Sequence, residues 1–248
     1  MKNTVKLSLP YHIKVIKFIF TEKTEVMKKM IKLILGFSPV ILSVLQGSLQ
    51  AQSLHENPAL DAKVRKFLSD HAGRWHDMNV PRVDAELLYD LVIRGNYKSA
   101  LEIGTSTGYS GIYIAWALSK TGGKLITIDI DEGRHRKALE NFREAGLSEY
   151  IDARLADAHT LVRELEGPFD FVFSDADKYW YKNYFSDIDP KLLVGGCYTT
   201  HNISEWSRGG RGGGYSQDYL EFVKSYKNYK TTLNSDGAGV LISYKTAE

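Results

Sequence analysis

From residue 99 to residue 200, short apolar runs alternate with stretches in which apolar positions recur at helical spacing. An unbroken apolar run suits a strand covered on both faces, whereas spacing by three and four marks a helix with one inward face. The chain is therefore expected to form strands over 99–103, 124–130, 151–155, 169–174 and 196–200, with helices over 108–118, 133–145 and 160–165. Pro58 opens an earlier helix over 58–70 with Leu60, Val64, Phe67 and Leu68 on its inward face. Pro81 opens a second, with Val83, Leu87, Leu88 and Leu91 inward. The pattern changes at the end, where 229–233 and 240–244 flank the loop-rich stretch Asn234-Ser-Asp-Gly-Ala-Gly239, a hairpin that adds an antiparallel strand. Strand and helix in alternation predict an α/β fold with a mostly parallel sheet between helical layers.

In such sheets, ligands sit beyond the carboxyl ends of the strands. That rule gathers Glu102 and the turn after it, Asp129, Asp157, Asp175 to Lys178, and His201-Asn202 onto one rim. The turn itself reads LEIGTSTGYSG from Leu101 to Gly111. A dinucleotide fingerprint beginning at Gly104 would need glycines where Ser106 and Tyr109 stand, and a phosphate-binding P-loop would need Gly-Lys where the chain has Tyr109-Ser110. No Lys or Arg occurs between Lys98 and Lys120, and Glu102 lies inside the strand end. The turn thus suits a neutral or cationic ligand better than a pyrophosphate. Asp129 follows Gly104 by 25 residues, where an acid can accept both hydrogen bonds of a ribose diol. Asp131 reads as the cap of the next helix.

Composition narrows the classes. The 248 residues are 43% hydrophobic and 25% charged, an ordinary globular balance. The formal charge of +2 is uneven: residues 1–51 hold eight lysines against Glu22 and Glu25, which leaves 24 basic and 28 acidic residues beyond them. A mildly acidic body implies no nucleic-acid surface. Within the first segment, Met27-Lys-Lys-Met-Ile-Lys32 precedes an apolar stretch from Leu33 to Leu45 and small residues near Ala51, the order of a secretory signal. The apolar stretch is shorter than the roughly 18–20 residues of a membrane span. The expected division is a 1–51 extension, with a signal peptide over 27–51, and a domain over 52–248. Export to the periplasm or medium is the expectation, with the cytoplasm as the alternative; the single Cys197 fits both.

Taken together, Glu102-x-Gly104-x-Ser106-x-Gly108 with Asp129 resembles the S-adenosylmethionine site of class I methyltransferases. The resemblance extends to the metal-assisted O-methyltransferases that include the catechol and caffeoyl-CoA enzymes. Met78-Asn-Val80, ALEIGTSTGYSG, LITIDID, FDFVFSDADKYWYKNY and LLVGGCYTTHN follow that family's order from about residue 75 onward. It implies a Rossmann-like fold with a seven-stranded sheet. By the same resemblance, Glu102 and Asp129 would hold the amino-acid part and ribose of the cofactor. Val80, Ser110, Asp157 and Ala158 would line its two ends, and Asp175 and Asp177 would face it.

Asp175-Ala-Asp177-Lys178 matches the family's second cluster, in which a carboxylate ligates a divalent cation and the lysine accepts the substrate's proton. The third cluster departs: where the family has Asp-Asn as further ligands, this chain has His201-Asn202. Three readings stay open. Asp175, His201 and Asn202 bind Mn, Fe or Zn; or they bind Mg²⁺ weakly; or no metal binds and His201 is the base. The expected reaction is methyl transfer to a hydroxyl of a small phenolic or catechol-like acceptor. The alternatives are transfer to nitrogen or a protein side chain, or a cofactor-binding module without catalysis. Trp75, Tyr179, Trp180, Tyr181 and Trp206 offer aromatic surface for an acceptor. The carboxylate that contacts the second catechol hydroxyl has no evident counterpart in the glycine-rich 208–214 run. Oligomeric state is left open, a homodimer included.

Overall fold

In the computed structural model, residues 54–204 and 214–248 are described. The signal-peptide segment, Trp206 and residues 208–213 of the glycine-rich run lie outside them. The apolar runs form β1 (Ser99–Ile103), β2 (Lys124–Asp129), β3 (Ile151–Leu155), β4 (Phe169–Ser174) and β5 (Leu192–His201). The terminal hairpin supplies β6 (Tyr229–Asn234) and β7 (Val240–Lys245). All seven join one sheet in the order β3-β2-β1-β4-β5-β7-β6. The first five strands are mutually parallel, and β7 lies antiparallel between β5 and β6. The antiparallel strand is thus inserted one place in from the edge.

Alternation along each strand divides the core. Ala100, Phe171 and Phe173 face one apolar cluster with Ile112, Leu88 and Val92, while Leu101, Ile103 and Val172 face a second with Tyr181, Tyr184 and Phe185. The first cluster is covered by α1 (Pro58–Asp70), α2 (Arg82–Gly95), α3 (Tyr109–Thr121) and α4 (Glu132–Ala145). The second is covered by α5 (Ala158–Glu164), α6 (Tyr181–Ile188) and α7 (Gly214–Ser225). Asp131 caps α4 as expected, accepting from Arg134 N at 2.8 Å.

Three local departures have physical reasons. Helix α6 lay outside the expected elements; its inward positions Tyr181, Tyr184, Phe185 and Ile188 keep a helical spacing of three, one and three, and Tyr181, expected as aromatic surface for an acceptor, is buried among them. Helix α7 also lay outside the expected pattern. Helix α2 is turned by one position: Val83, expected inward, is 41% exposed, and the carboxylate of Asp84 is buried in its stead.

Candidate active site

The carboxyl ends of four strands stand level, because Ile103 pairs with both Ile128 and Ser174, and Ser174 pairs with Thr200. A cavity of about 640 Å³ opens over these ends, the size of a small-molecule site. Of the expected residues, Gly104, Ser106, Ser110, Asp129, Asp157, Ala158, Asp175, Asp177, Lys178, His201 and Asn202 line it. Val80, Glu102 and Gly108 stand behind its wall: Val80 is in the core, and a side chain at Gly108 would meet the Phe142 ring at 2.6 Å.

The turn after β1 needs its glycine. Gly104 has φ +100°, and a Cβ there would fall 2.5 Å from the backbone oxygen of Asp175. Only a bare backbone lets the ends of β1 and β4 approach so closely. Met78, Ser106 and Asn202 also take positive φ, at 47°, 47° and 58°, and all three line the cavity. Such strain costs on the order of 1–3 kcal/mol per residue and gathers at functional sites.

Asp129 is anchored by backbone: Ser106 N donates to one carboxylate oxygen at 2.7 Å and Asp131 N to the other at 2.8 Å. Each oxygen keeps a second lone pair for a ligand hydroxyl. Ile130, 71% exposed, adds an apolar patch beside it. Asp157 caps α5 through His159 N at 2.9 Å, and Asp177 caps the short 3₁₀ turn Lys178–Trp180 through Tyr179 N at 3.0 Å. Between them His159 approaches Asp157 at 3.6 Å and Asp177 at 3.4 Å, its ring 4.3 Å from that of Trp180. His159 lines the cavity, and only its place two residues after a strand-end acid hinted at that.

Glu102 is wholly buried on the α3 side of the sheet, accepting from Ser110 Oγ and Thr127 Oγ1, each at 2.5 Å. Burial pushes its pKa from 4.5 up to about 8, against the pull of the two hydroxyls. The folded protein therefore holds a proton that the unfolded chain releases, so this group's contribution to stability falls as pH rises from about 4.5 to about 8. Glu102→Gln is expected to raise the melting temperature more at about pH 8 than at about pH 5. Equal shifts at both pH values, measured by calorimetry, would show that Glu102 does not titrate in this range.

At the other end of the cavity, His201 is 3% exposed. Its Nε2 lies 3.0 Å from Asp84 Oδ2 and its Nδ1 3.0 Å from Asp175 Oδ2. Burial pulls the imidazole pKa down, but the hydrogen bonds and charges of Asp175 and Asp84 prevail and raise it to about 9. Lys178 Nζ donates to Asn202 Oδ1 and stands 3.6 Å from Asp175 Oδ1. As a divalent-cation site the expected set does not fit, because the donor atoms of Asp175, His201 and Asn202 are turned to one another, to Asp84 and to Lys178. The expectation of His201 as ligand or base meets the same fact, since both ring nitrogens face carboxylates.

The aromatic expectations divide. Trp75 packs 4.7 Å from the Tyr109 ring and 6.1 Å from Phe67, away from this cavity. Tyr181 is buried and donates from its hydroxyl to the His201 carbonyl at 3.2 Å, whereas Tyr179 is 78% exposed.

A 3-2-1-4-5-7-6 sheet whose acid-lined cavity lies at the β1/β4 switch point is the Rossmann-like fold of class I methyltransferases. Residues 50–207 match the family model described as O-methyltransferase. Caffeoyl-CoA O-methyltransferase 1 of Eucalyptus globulus is 28% identical over 197 residues, spanning 77% of this chain and 78% of its own. Catechol O-methyltransferase of Niastella koreensis is 44% identical over 92 residues, 36% of this chain and 41% of its own. The same fold occurs in the crystal structure of an O-methyltransferase from Bacillus cereus in complex with SAH, at TM-score 0.64 and 21% identity over 84% of this chain and 97% of that one. It occurs also in TomG from Streptomyces achromogenes in complex with SAM, at TM-score 0.63 and 24% identity over 83% and 96%. The chain belongs to the S-adenosylmethionine-dependent O-methyltransferase family.

Proposed function

We propose that the protein transfers a methyl group from S-adenosylmethionine to a hydroxyl of a small phenolic acceptor, with Lys178 receiving the hydroxyl proton. The observation that carries the reading is the division of one cavity into two ends: the Asp129 turn at one, Lys178 beside Asp175 and Asn202 at the other. Relatives named for catechol and caffeoyl-CoA support a phenolic acceptor. S-adenosylmethionine supplies an electrophilic methyl on a cationic sulfur.

The chain's own residues do the rest. Asp129 accepts the ribose hydroxyls, Ile130 offers an apolar face to the base, and the bare Gly104 turn lets the backbone come close without phosphate-binding donors. A neutral lysine amine has two N–H groups and one lone pair. Asn202 Oδ1 accepts one of these hydrogens and Asp175 Oδ1 lies 3.6 Å from the nitrogen, an arrangement that orients the amine and leaves its lone pair free to turn to the acceptor's O–H. As that proton moves to Lys178 Nζ, the oxygen forms its bond to the methyl carbon while the carbon–sulfur bond breaks. Holding oxygen, carbon and sulfur in line can supply on the order of 7–11 kcal/mol.

Cofactor recognition is tested at Asp129. Asp129→Ala is expected to weaken S-adenosylmethionine binding by roughly 1.5–3 kcal/mol, the scale of hydrogen bonds to a charged group. Calorimetric affinity equal to wild type would remove Asp129 from the site.

A further inference from the structure

The residue that the sequence pattern turned outward changes the chemistry of the site. Asp84 is wholly buried in the first turn of α2. Its Oδ2 accepts from Ala238 N at 2.9 Å and faces His201 Nε2 at 3.0 Å, while its Oδ1 has no hydrogen-bond partner. A Cβ at Gly237 would fall 2.0 Å from that Oδ1, so the hairpin closes over the carboxylate only because residue 237 is glycine. A carboxylate so enclosed is costly unless it is paired, and its charged partner is His201.

This pairing decides what His201 can do. Imidazole ligates a metal through the lone pair of a ring nitrogen. With Asp84 Oδ2 3.0 Å from one nitrogen and Asp175 Oδ2 3.0 Å from the other, each ring nitrogen already has a carboxyl oxygen where a metal ion would have to stand. Asp175 Oδ2 is taken by His201, its Oδ1 is near Lys178 Nζ, and Asn202 Oδ1 accepts from the same lysine. Lys178 Nζ therefore stands where the oxygens of Asp175 and Asn202 would converge on an ion. Among the described residues, no group of three His, Cys, Asp or Glu side chains is arranged to hold a metal.

We infer that Asp84, by clamping His201 against Asp175 while Lys178 Nζ is seated on Asn202, closes this methyltransferase site to divalent cations, so that methyl transfer proceeds without one. The inference rests on the reading above for turnover alone; cation binding is a separate observable. The positive charge that a divalent ion would bring to the acceptor oxygen comes instead from Lys178 once it has taken the proton.

The test uses the full chain after dialysis against EDTA. Manganese binding is followed by calorimetry and by electron paramagnetic resonance of Mn²⁺, and methyl transfer from S-adenosylmethionine to 3,4-dihydroxybenzoate is followed with EDTA and with added Mg²⁺, Mn²⁺ or Zn²⁺. The expected result is no saturable Mn²⁺ binding and turnover unaffected by chelator or by added ion. His201→Asp, which removes the clamped imidazole and returns a carboxylate, is expected to gain saturable Mn²⁺ binding. Saturable Mn²⁺ binding by wild type, or loss of turnover in EDTA with recovery on adding an ion, overturns the inference. If S-adenosylmethionine binds but no phenol is methylated, the functional reading fails, and absent Mn²⁺ binding still upholds the closed site.

Discussion

Lys178→Ala is expected to slow methyl transfer by about 10²–10⁴-fold, the usual worth of a positioned general base. Cofactor affinity should be nearly unchanged, because the contacts of Lys178 Nζ are with Asn202 and Asp175, at the far end of the cavity from Asp129. The loss should therefore appear in kcat and not in the dissociation constant of S-adenosylmethionine. The side chain is one-third exposed, which leaves a path for small molecules. Added primary amines should restore part of the rate to Lys178→Ala, with stronger bases restoring more, as a Brønsted relation requires. A merely structural lysine would not respond in that way. Single-turnover measurement with labelled methyl decides the matter, and a variant as fast as wild type would remove Lys178 from the proton's path.

What the sequence made legible follows from how each feature is encoded. The parallel strands are written as local apolar runs, so β1 to β4 fall within a residue of their expected limits. The rim follows from them, because strand ends in a parallel sheet come out on one side whatever the helices do. The glycine turn and Asp129 were legible for the same reason: both lie immediately beyond a strand.

Asp84 was not legible. A helical face advances about 100° per residue, so choosing Val83 or Asp84 as the inward position changes the face by one step, and hydrophobicity favours valine. The structure chooses the carboxylate because His201, 117 positions away, waits at the end of β5. No local pattern carries that information. In retrospect, Asp84 with Leu88 and Leu91 keeps a helical spacing of four and three, and a histidine in place of a ligand carboxylate asks for a compensating acid. The Trp75 expectation failed differently. It was expected as aromatic surface for an acceptor, but the ring found Tyr109 and Phe67 and joined the packing of α1 and α3. Glu102 was legible as an odd acid in a strand; its concealment behind Ser110 and Thr127 depends on the pairing of β1 with β2.

The second large effect belongs to the turn that the sequence displayed most clearly. Gly104→Ala is expected to destabilise the protein by several kcal/mol, about 1–2 from forcing a side chain into left-handed backbone and the remainder from overpacking. The added methyl would lie 2.5 Å from the Asp175 oxygen and 2.9 Å from its carbonyl carbon. Neither neighbour is a flexible tip, so the turn after β1 or the end of β4 must move. Movement of either displaces Ser106 N from Asp129 or shifts Asp175 from His201, and S-adenosylmethionine binding should fall together with stability. Gly73→Ala is the control. That glycine also has positive φ, +76°, but nothing lies within 4 Å of its added carbon. It should lose only the backbone component, about 1–2 kcal/mol, and keep its cofactor affinity. Urea denaturation of the two variants separates packing from conformation. If they lose equal stability, the close approach of β1 and β4 does not explain why the chain carries glycine at 104.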